Sequence, residues 1–304
     1  MTPATTAVTP APNGAITTLV VLAAGRAKRY GGLKALAPVG LMGEAVIDIL
    51  ASDAIAAGYT RMVLVVGPET GAAVRYHVER TWPSALDVRF AVQPVPRGTV
   101  DAVVAATEHL DDASFGVANA DDIYGERGLT LLAAHLRGPD PASALVCYTL
   151  RATLVGDEPV TRGVCDVAPD GLLRSLTERR LVTPLPDGRI VARDGRQPVE
   201  LDGGSPVSMN LWGMRPHVRG VLERALARGV DDSEVLLPEV VGDLVAHRDG
   251  TGTGIADFRA LMAPGRCIGV THPGDLAPVQ AELAAEVGRG ERAGQLWAAP
   301  APAR

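Results

Sequence analysis

Two clusters of charge in this chain have the residue types for phosphate chemistry. The first is a basic run, Arg26, Lys28 and Arg29, followed after the Gly31-Gly32 pair by Lys34. The second is an adjacent pair of carboxylates, Asp121-Asp122, set between Asn119-Ala120 and Ile123-Tyr124-Gly125. Arg suits bidentate contact with phosphate oxygens, and Lys acts as a movable point charge. Neighbouring carboxylates at the end of a buried segment are costly unless a cation or solvent takes their charge. A hard divalent ion bridging phosphate oxygens suits them, because Mg2+ typically takes one or two carboxylates along with phosphates and water. Each cluster also has a plain structural reading, as a solvated basic loop or as an acidic turn and helix cap.

Both clusters follow a strand. Thr17-Thr18-Leu19-Val20-Val21-Leu22 is a β-branched, apolar run without alternation, which predicts a strand buried on both faces. It ends in Ala23-Ala24-Gly25, small residues that let a backbone approach a ligand closely. Ser114 to Ala118 predicts the strand that leads into Asn119. Between them the pattern alternates: a helix from Glu44 to Gly58, a strand from Arg61 to Gly67, a helix from Thr70 to Arg80, and a strand from Val88 to Val92. Such alternation with short connections predicts a parallel, doubly wound sheet, in which ligands bind beyond the carboxyl ends of the strands. The loop after Val92 is one such end. Gln93 offers an amide suited to a base edge, Gly98 lets a flat ring lie against backbone, and Thr99 is placed to cap a helix running to Leu110. An ordinary loop with a Gly-Thr helix start reads the same.

After a helix at Leu129–Leu136 and a strand at Ala142–Leu150 the style changes to shorter strands and turns. Thr161 to Val167 with Asp170-Gly171 predicts a hairpin. Residues 181–205 are polar, rich in Gly, Pro and Arg and poor in core residues, and predict an extended hairpin or flap. A strand at Pro206–Gly213, helices at Arg219–Arg228 and Glu234–Ala246, a final strand at Arg266–Thr271 and a helix from Leu276 complete the reading. Asp275 stands where it would cap that last helix.

The motifs resemble, in order from about Leu19 to Val279, the nucleotidyltransferases that join a nucleoside triphosphate to a sugar 1-phosphate. Their signature runs L-A-A-G-x-G-[ST]-R, a short spacer, K, then P-[VI]. Leu22-Ala23-Ala24-Gly25, Arg29, Lys34 and Pro38-Val39 match it, while Ala27 and Lys28 depart from the second glycine and the Ser or Thr. The resemblance implies an α/β, GT-A-like Rossmann-type fold with a mixed, mostly parallel central sheet flanked by helices. It implies Arg29, Lys34 and Asp121 as catalytic residues and Mg2+ on Asp121, with Asp275 as a substitute for a second carboxylate. Leu22, Ala23, Ala24, Gly25, Arg26, Ala27, Lys28, Gln93, Gly98 and Thr99 are implied as nucleotide contacts. Asn119, Asp122, Gly163, Glu178, Arg179 and Asn210 are implied as acceptor contacts, with Arg179 holding the acceptor phosphate. The Gln93-Pro94 and Gly98 pattern is similar to thymidylyl and uridylyl members, and Gly98-Thr99-Val100-Asp101-Ala102 to adenylyl members, so the base stays open. A non-sugar acceptor phosphate and a non-catalytic nucleotide sensor remain as alternatives.

The chain as a whole is consistent with that expectation. Its 304 residues include 47% hydrophobic ones, enough for a sizeable core without disulfides. The formal net charge of −6 argues against a nucleic-acid-coating protein. Cys147, Cys165 and Cys267 are scattered, which fits buried free thiols in a reducing cytoplasm. No apolar run suggests a membrane span, and the N-terminus has no charged leader pattern. The expected organisation is a tail at 1–14, one domain at 15–290 with a nucleotide-binding half at 15–150 and an acceptor-binding half at 151–290, and a flexible tail at 291–304. The partners expected are a nucleoside triphosphate and a phosphorylated small molecule, with a homo-oligomer open.

Overall fold

The structure is a computed structural model in which residues 17–25, 33–156, 158–229, 233–247 and 256–297 are described. The chain runs β1 (Thr18–Ala23), α1 (Val46–Ala56), β2 (Arg61–Val66), α2 (Gly71–Thr81), β3 (Asp87–Val92), α3 (Thr99–Ala105), β4 (Phe115–Asn119), β5 (Asp122–Ile123) and α4 (Gly125–Arg137). It continues through β6 (Ser143–Thr149), β7 (Val160–Val167), β8 (Leu173–Pro184), β9 (Ile190–Ala192), β10 (Val199–Leu201) and β11 (Pro206–Met214). The last elements are α5 (Val218–Arg228), α6 (Leu237–Ala246), β12 (Phe258–Met262), β13 (Ile268–Gly269) and α7 (Leu276–Gly288).

One sheet passes through both halves of the chain in the order β10-β9-β8-β7-β11-β4-β1-β2-β3, with β6 on the other side of β11 and β12 beyond it. The strands β3, β2, β1 and β4 are parallel, and β1 lies between β2 and β4. Leu19 and Val21 pack with α1 and α4 on one face, while Val20 packs with α3, α5 and α6 on the other. This burial on both faces is why the run Leu19 to Val21 carries no polar alternation. Beyond β4 the neighbouring strands β11, β7, β8, β9 and β10 pair antiparallel.

The order and type of the early elements follow the sequence pattern, and several later expectations need correction. β12 was not anticipated, yet it pairs parallel with β6 through five register positions from Phe258 to Met262. Its segment is only five residues long and carries no distinctive period, although Pro264-Gly265 marks a turn just after it. Of Arg266–Thr271 only Ile268-Gly269 is a strand, and it pairs with β5 outside the main sheet. The helix expected from Glu234 begins at Leu237, with Pro238 in its first turn. The second half is not made only of short strands, since β8 spans twelve residues. Residues 181–205 do form an antiparallel edge, but Val182, Ile190 and Ala192 build a small core there with Leu150 and Val207. Residues expected in a flexible tail also pack: Arg292 pairs with Asp53 of α1 at 2.7 Å, and Trp297 lies 6.0 Å from Trp82 between ring centroids. All three cysteines are free and buried, as expected.

Candidate active site

The site opens where β11 changes partner. Val207 and Ser208 pair with β7, whereas Trp212 to Met214 pair with β4 along the same edge, because β6 occupies the other. The register slips between Ser208 and Leu211, and Asn210 in the slip has φ +60°. Asn is among the few non-glycine types that accept that conformation readily. The bulge separates β7 from β4 and leaves a cleft at the carboxyl ends of β1 and β4. Asn210 lines both sides of that cleft.

Asp121 sits in the turn between β4 and β5 and lines three adjoining cavities. Its Oδ2 lies 3.6 Å from Lys34 Nζ, and the two side chains are 36% and 22% exposed. Lys34 comes from a 3-10 turn, Lys34–Leu36. Desolvation in the cleft floor raises the Asp121 pKa, and Lys34 opposes the rise. Leu22, Ala23 and Gly25 line the small cavity beside this pair, together with Thr70. Ala24 joins Leu22 and Gly25 in the cavity that leads toward Gln93. The expected contacts Arg26, Ala27, Lys28 and Arg29 lie outside the described residues.

Asp122 is held by its own loop. Asn119 Nδ2 donates to Asp122 Oδ2 at 3.0 Å. The Tyr124 hydroxyl accepts from Asn119 N at 3.0 Å and donates to Met209 O at 2.9 Å. Tyr148 in turn donates to Tyr124 O at 2.7 Å. A Cβ on Gly269 would stand 2.2 Å from Asp122 Oδ1, so only glycine lets β13 close over this carboxyl. Burial, reinforced by the adjacent Asp121, pushes the Asp122 pKa up to about 7. The buried tyrosines therefore tie β4, β5 and the β11 bulge into one piece, and Asp122 organises that piece while still lining the cavity at the β7–β8 hairpin.

The cavity toward the amide measures about 520 Å³ and is lined by Gln93, Thr99, Asn119, Asn210 and Leu236. Gly98 lines this cavity too, and it is tightly packed against a distant segment. It has φ +93°, and a Cβ there would lie 2.4 Å from Val235 O, so its closeness serves the backbone of the Val235 segment. Val235 N donates to Arg97 O and Val100 N donates to Val235 O. Thr99 makes no side-chain cap on α3; its Oγ1 instead accepts from Leu237 N at 2.8 Å, at the start of α6. The loop from Gln93 to Thr99 is thus stitched to a segment far away in sequence, and Leu236 of that segment lines both this cavity and the one at the β7–β8 hairpin.

The cavity at the β7–β8 hairpin, about 420 Å³, is lined by Gly163, Glu178, Ser208 and Asn210, as well as by Arg162 and Arg180. Gly163 is close-packed, since a Cβ would meet Leu176 Cδ1 at 3.0 Å. Arg179 does not line the cavity. It is turned away toward Asp194, with Nη1 3.5 Å from Oδ2. Successive strand residues face opposite ways, so Glu178 and Arg180 share the cleft face and are paired at 2.7 Å. Beyond Arg179 the register with β7 slips, so Arg180 lies in the irregularity with Leu181, which takes φ +50°. The signal for Arg180 was present in the sequence, two positions after Glu178. Arg162 was missed as well. Its guanidinium donates to Thr153 Oγ1, Thr153 O and Thr161 O, which pins the turn after β6 beside the cleft.

Asp275 is buried and its Oδ2 accepts from Thr271 N at 2.8 Å and His272 N at 2.7 Å, closing the short turn before α7. That carboxylate oxygen serves the turn and no side-chain cap bonds the helix itself. Among the described residues no group of three or more His, Cys, Asp or Glu is arranged to hold a metal. Asp121 alone still fits an ion of the Mg2+ type, which takes few protein carboxylates when phosphates and water complete its shell. No helix among the described residues is long and apolar enough to cross a membrane.

Residues 18–153 match the family described as nucleotidyl transferase. Among solved structures, that of a UDP-glucose pyrophosphorylase complexed with UDP-glucose is similar over 91% of this chain and 100% of that chain, with a TM-score of 0.61 and 13% identity. At that identity the likeness speaks to the fold alone, an α/β architecture with a mixed sheet flanked by helices. A comparison with curated proteins gave no significant match.

Proposed function

We propose that this chain, a nucleotidyl transferase enzyme by its residues 18–153, joins a nucleoside triphosphate to a sugar 1-phosphate, giving a nucleoside diphosphate sugar and pyrophosphate. The observation that carries the reading is Asp121, which lines three adjoining cavities, with Lys34 3.6 Å away in one of them. One cavity follows the small-residue end of β1, one reaches Gln93, and one reaches the β7–β8 hairpin. A triphosphate, a base and an acceptor have separate places around a single charged pair.

The chemistry needs no protein nucleophile. The acceptor phosphate oxygen attacks the α-phosphorus in line, and pyrophosphate leaves. Lys34 neutralises charge where the α-phosphate and the incoming phosphate meet. Arg29 and Lys28 are assigned to the β and γ phosphates from their place in the signature. Asp121 would hold Mg2+, which when bound offsets the charge of the phosphate oxygens. Asn119, Gly163, Glu178 and Asn210 would meet the acceptor. Arg180, not Arg179, is the β8 cation on the acceptor side, and we assign it the acceptor phosphate or a neighbouring anionic group. We retain one domain over 15–290, with residues up to 297 packed onto it, and a cytoplasmic setting as part of the proposal.

The test is pyrophosphate release with Mg2+ across a grid of NTPs and a panel of sugar, polyol and cyclitol phosphates and phosphonates. Release with one sugar 1-phosphate supports the full reading. Release only with a phosphonate or cyclitol phosphate keeps the mechanism and overturns the sugar. No release with any pair, while an NTP still binds, argues for a nucleotide sensor.

A further inference from the structure

Gln93 is 4% exposed and lies at the end of β3, in the wall of the cavity that reaches toward the nucleotide base. Its Nε2 makes two hydrogen bonds at once. One goes to Gly98 O at 3.0 Å, and the other to Asp101 Oδ2 at 2.8 Å. An amide nitrogen has only two hydrogens, so both are engaged. Turning the amide over would set its oxygen against a carbonyl and a carboxylate, acceptor against acceptor. The orientation is therefore chemically determined, and Oε1 is left facing the cavity with no donor among the described residues.

Asp101 is the residue that enforces this. It is buried, at 7% exposure, and its second oxygen is occupied by Arg97 Nη2 at 2.8 Å. Each carboxylate oxygen thus has its own donor, and Asp101 cannot release Gln93 without losing a charge-assisted bond. A free glutamine reads either polarity of base edge by rotating its amide. A glutamine locked in this way presents an acceptor only.

We infer that Asp101 is a positioning residue for base selection: it locks Gln93 so that the base is read through one of its N–H groups by Gln93 Oε1. The inference rests on the nucleotide-binding reading above. It predicts discrimination within pairs of bases whose edges have opposite polarity, the amino and keto partners adenine and hypoxanthine or cytosine and uracil. A base that sets a carbonyl opposite Oε1 leaves two acceptors facing each other, and a lost or mismatched buried hydrogen bond is worth about tenfold or more in affinity.

The experiment is calorimetric binding of ATP, ITP, CTP and UTP in Mg2+ to the wild-type chain and to Asp101→Asn and Asp101→Ala. Inorganic tripolyphosphate serves as a base-free control, and thermal melting confirms that each variant is folded. The expected result is at least about a tenfold difference in Kd within one amino–keto pair. Methylating the N–H of the preferred base should cost a similar factor. In the near-isosteric Asp101→Asn protein the difference within the pair should collapse toward one, while tripolyphosphate binds unchanged. An unaltered ratio in both folded variants overturns the inference and leaves the nucleotidyl transferase reading standing. Equal weakening of all four NTPs and of tripolyphosphate makes Asp101 merely structural and also overturns it. Failure of the wild-type chain to bind any NTP removes the proposed function, and this inference with it.

Discussion

Lys34 Nζ and Asp121 Oδ2 face each other at 3.6 Å, with Asp121 lining all three cavities of the cleft and Lys34 the one beside the end of β1. They come from turns 87 positions apart in the chain, the 3-10 turn after the basic run and the turn between β4 and β5. A half-open ion pair contributes little to stability, about 1 kcal/mol or less. Its placement is better explained by chemistry than by folding.

Lys34→Ala and Asp121→Ala are therefore expected to reduce pyrophosphate release by roughly a thousandfold or more, on the scale of removing a charge that stabilises a transition state. Their melting temperatures should stay within a few degrees of wild type. Near-normal turnover in either folded variant would sink the assignment. Removing divalent metal with a chelator should abolish the same activity, and Mg2+ should restore it.

Arg180 and Arg179 provide a sharper contrast. Arg180→Ala is expected to raise the acceptor KM about tenfold, as for loss of a charge-assisted phosphate contact. Arg179→Ala, whose partner is Asp194, should leave that KM nearly unchanged. Initial rates against acceptor concentration decide between them, and the reverse pattern would restore Arg179 to the site.

Gly98→Ala should be destabilising. The position has φ +93° and a Cβ would press on the Val235 backbone at 2.4 Å. Strain and overlap together should cost roughly 2 kcal/mol or more. Thr99→Val removes the acceptor for Leu237 N and should cost about 1 kcal/mol. Urea denaturation measures both, and a Gly98→Ala protein as stable as wild type would contradict the close approach.

Arg292 stands between Asp53 at 2.7 Å and Glu286 at 2.8 Å, all three nearly enclosed. Arg292→Ala should cost about 3–5 kcal/mol at pH 7, because it leaves buried carboxylates unpaired. Burial raises the Asp53 pKa from 3.8 to about 6 despite Arg292. The folded state thus holds a proton that the unfolded state has released, so this contribution to stability is full below pH 3.8 and is lost as pH rises through about 6. Asp53→Asn should flatten that slope in melts taken from pH 4 to 7. The same slope in the variant would show that Asp53 is not its source.

Much of the site was legible because its signals are local. The end of β1 in Ala23-Ala24-Gly25, Lys34 after the glycine pair, and the carboxylates after Asn119 each announce themselves within a few residues. Gly163, Glu178 and Asn210 come together in one cavity of the cleft. Arg179 misled because charge type alone does not say which face of a strand a residue takes, and one position along β8 reverses it. Gly98 lines the cavity beside Gln93, but its close contact with the Val235 backbone left no mark in the sequence. β12 was missed because five residues of a strand buried against β6 carry no distinctive period.

The sequence by itself determined the succession of strands and helices from β1 to β4 and the place of the basic and carboxylate clusters. Apolar runs and turn chemistry act over a few residues and do not depend on the rest of the chain. Tertiary structure alone decided that β11 changes partner at Asn210 and opens the cleft. It also decided that Arg180 faces that cleft and that Asp101 turns the amide of Gln93. These depend on hydrogen bonds and close contacts between segments far apart in sequence, where a pairing register or a single donor chooses between conformations that local propensity leaves nearly equal in energy.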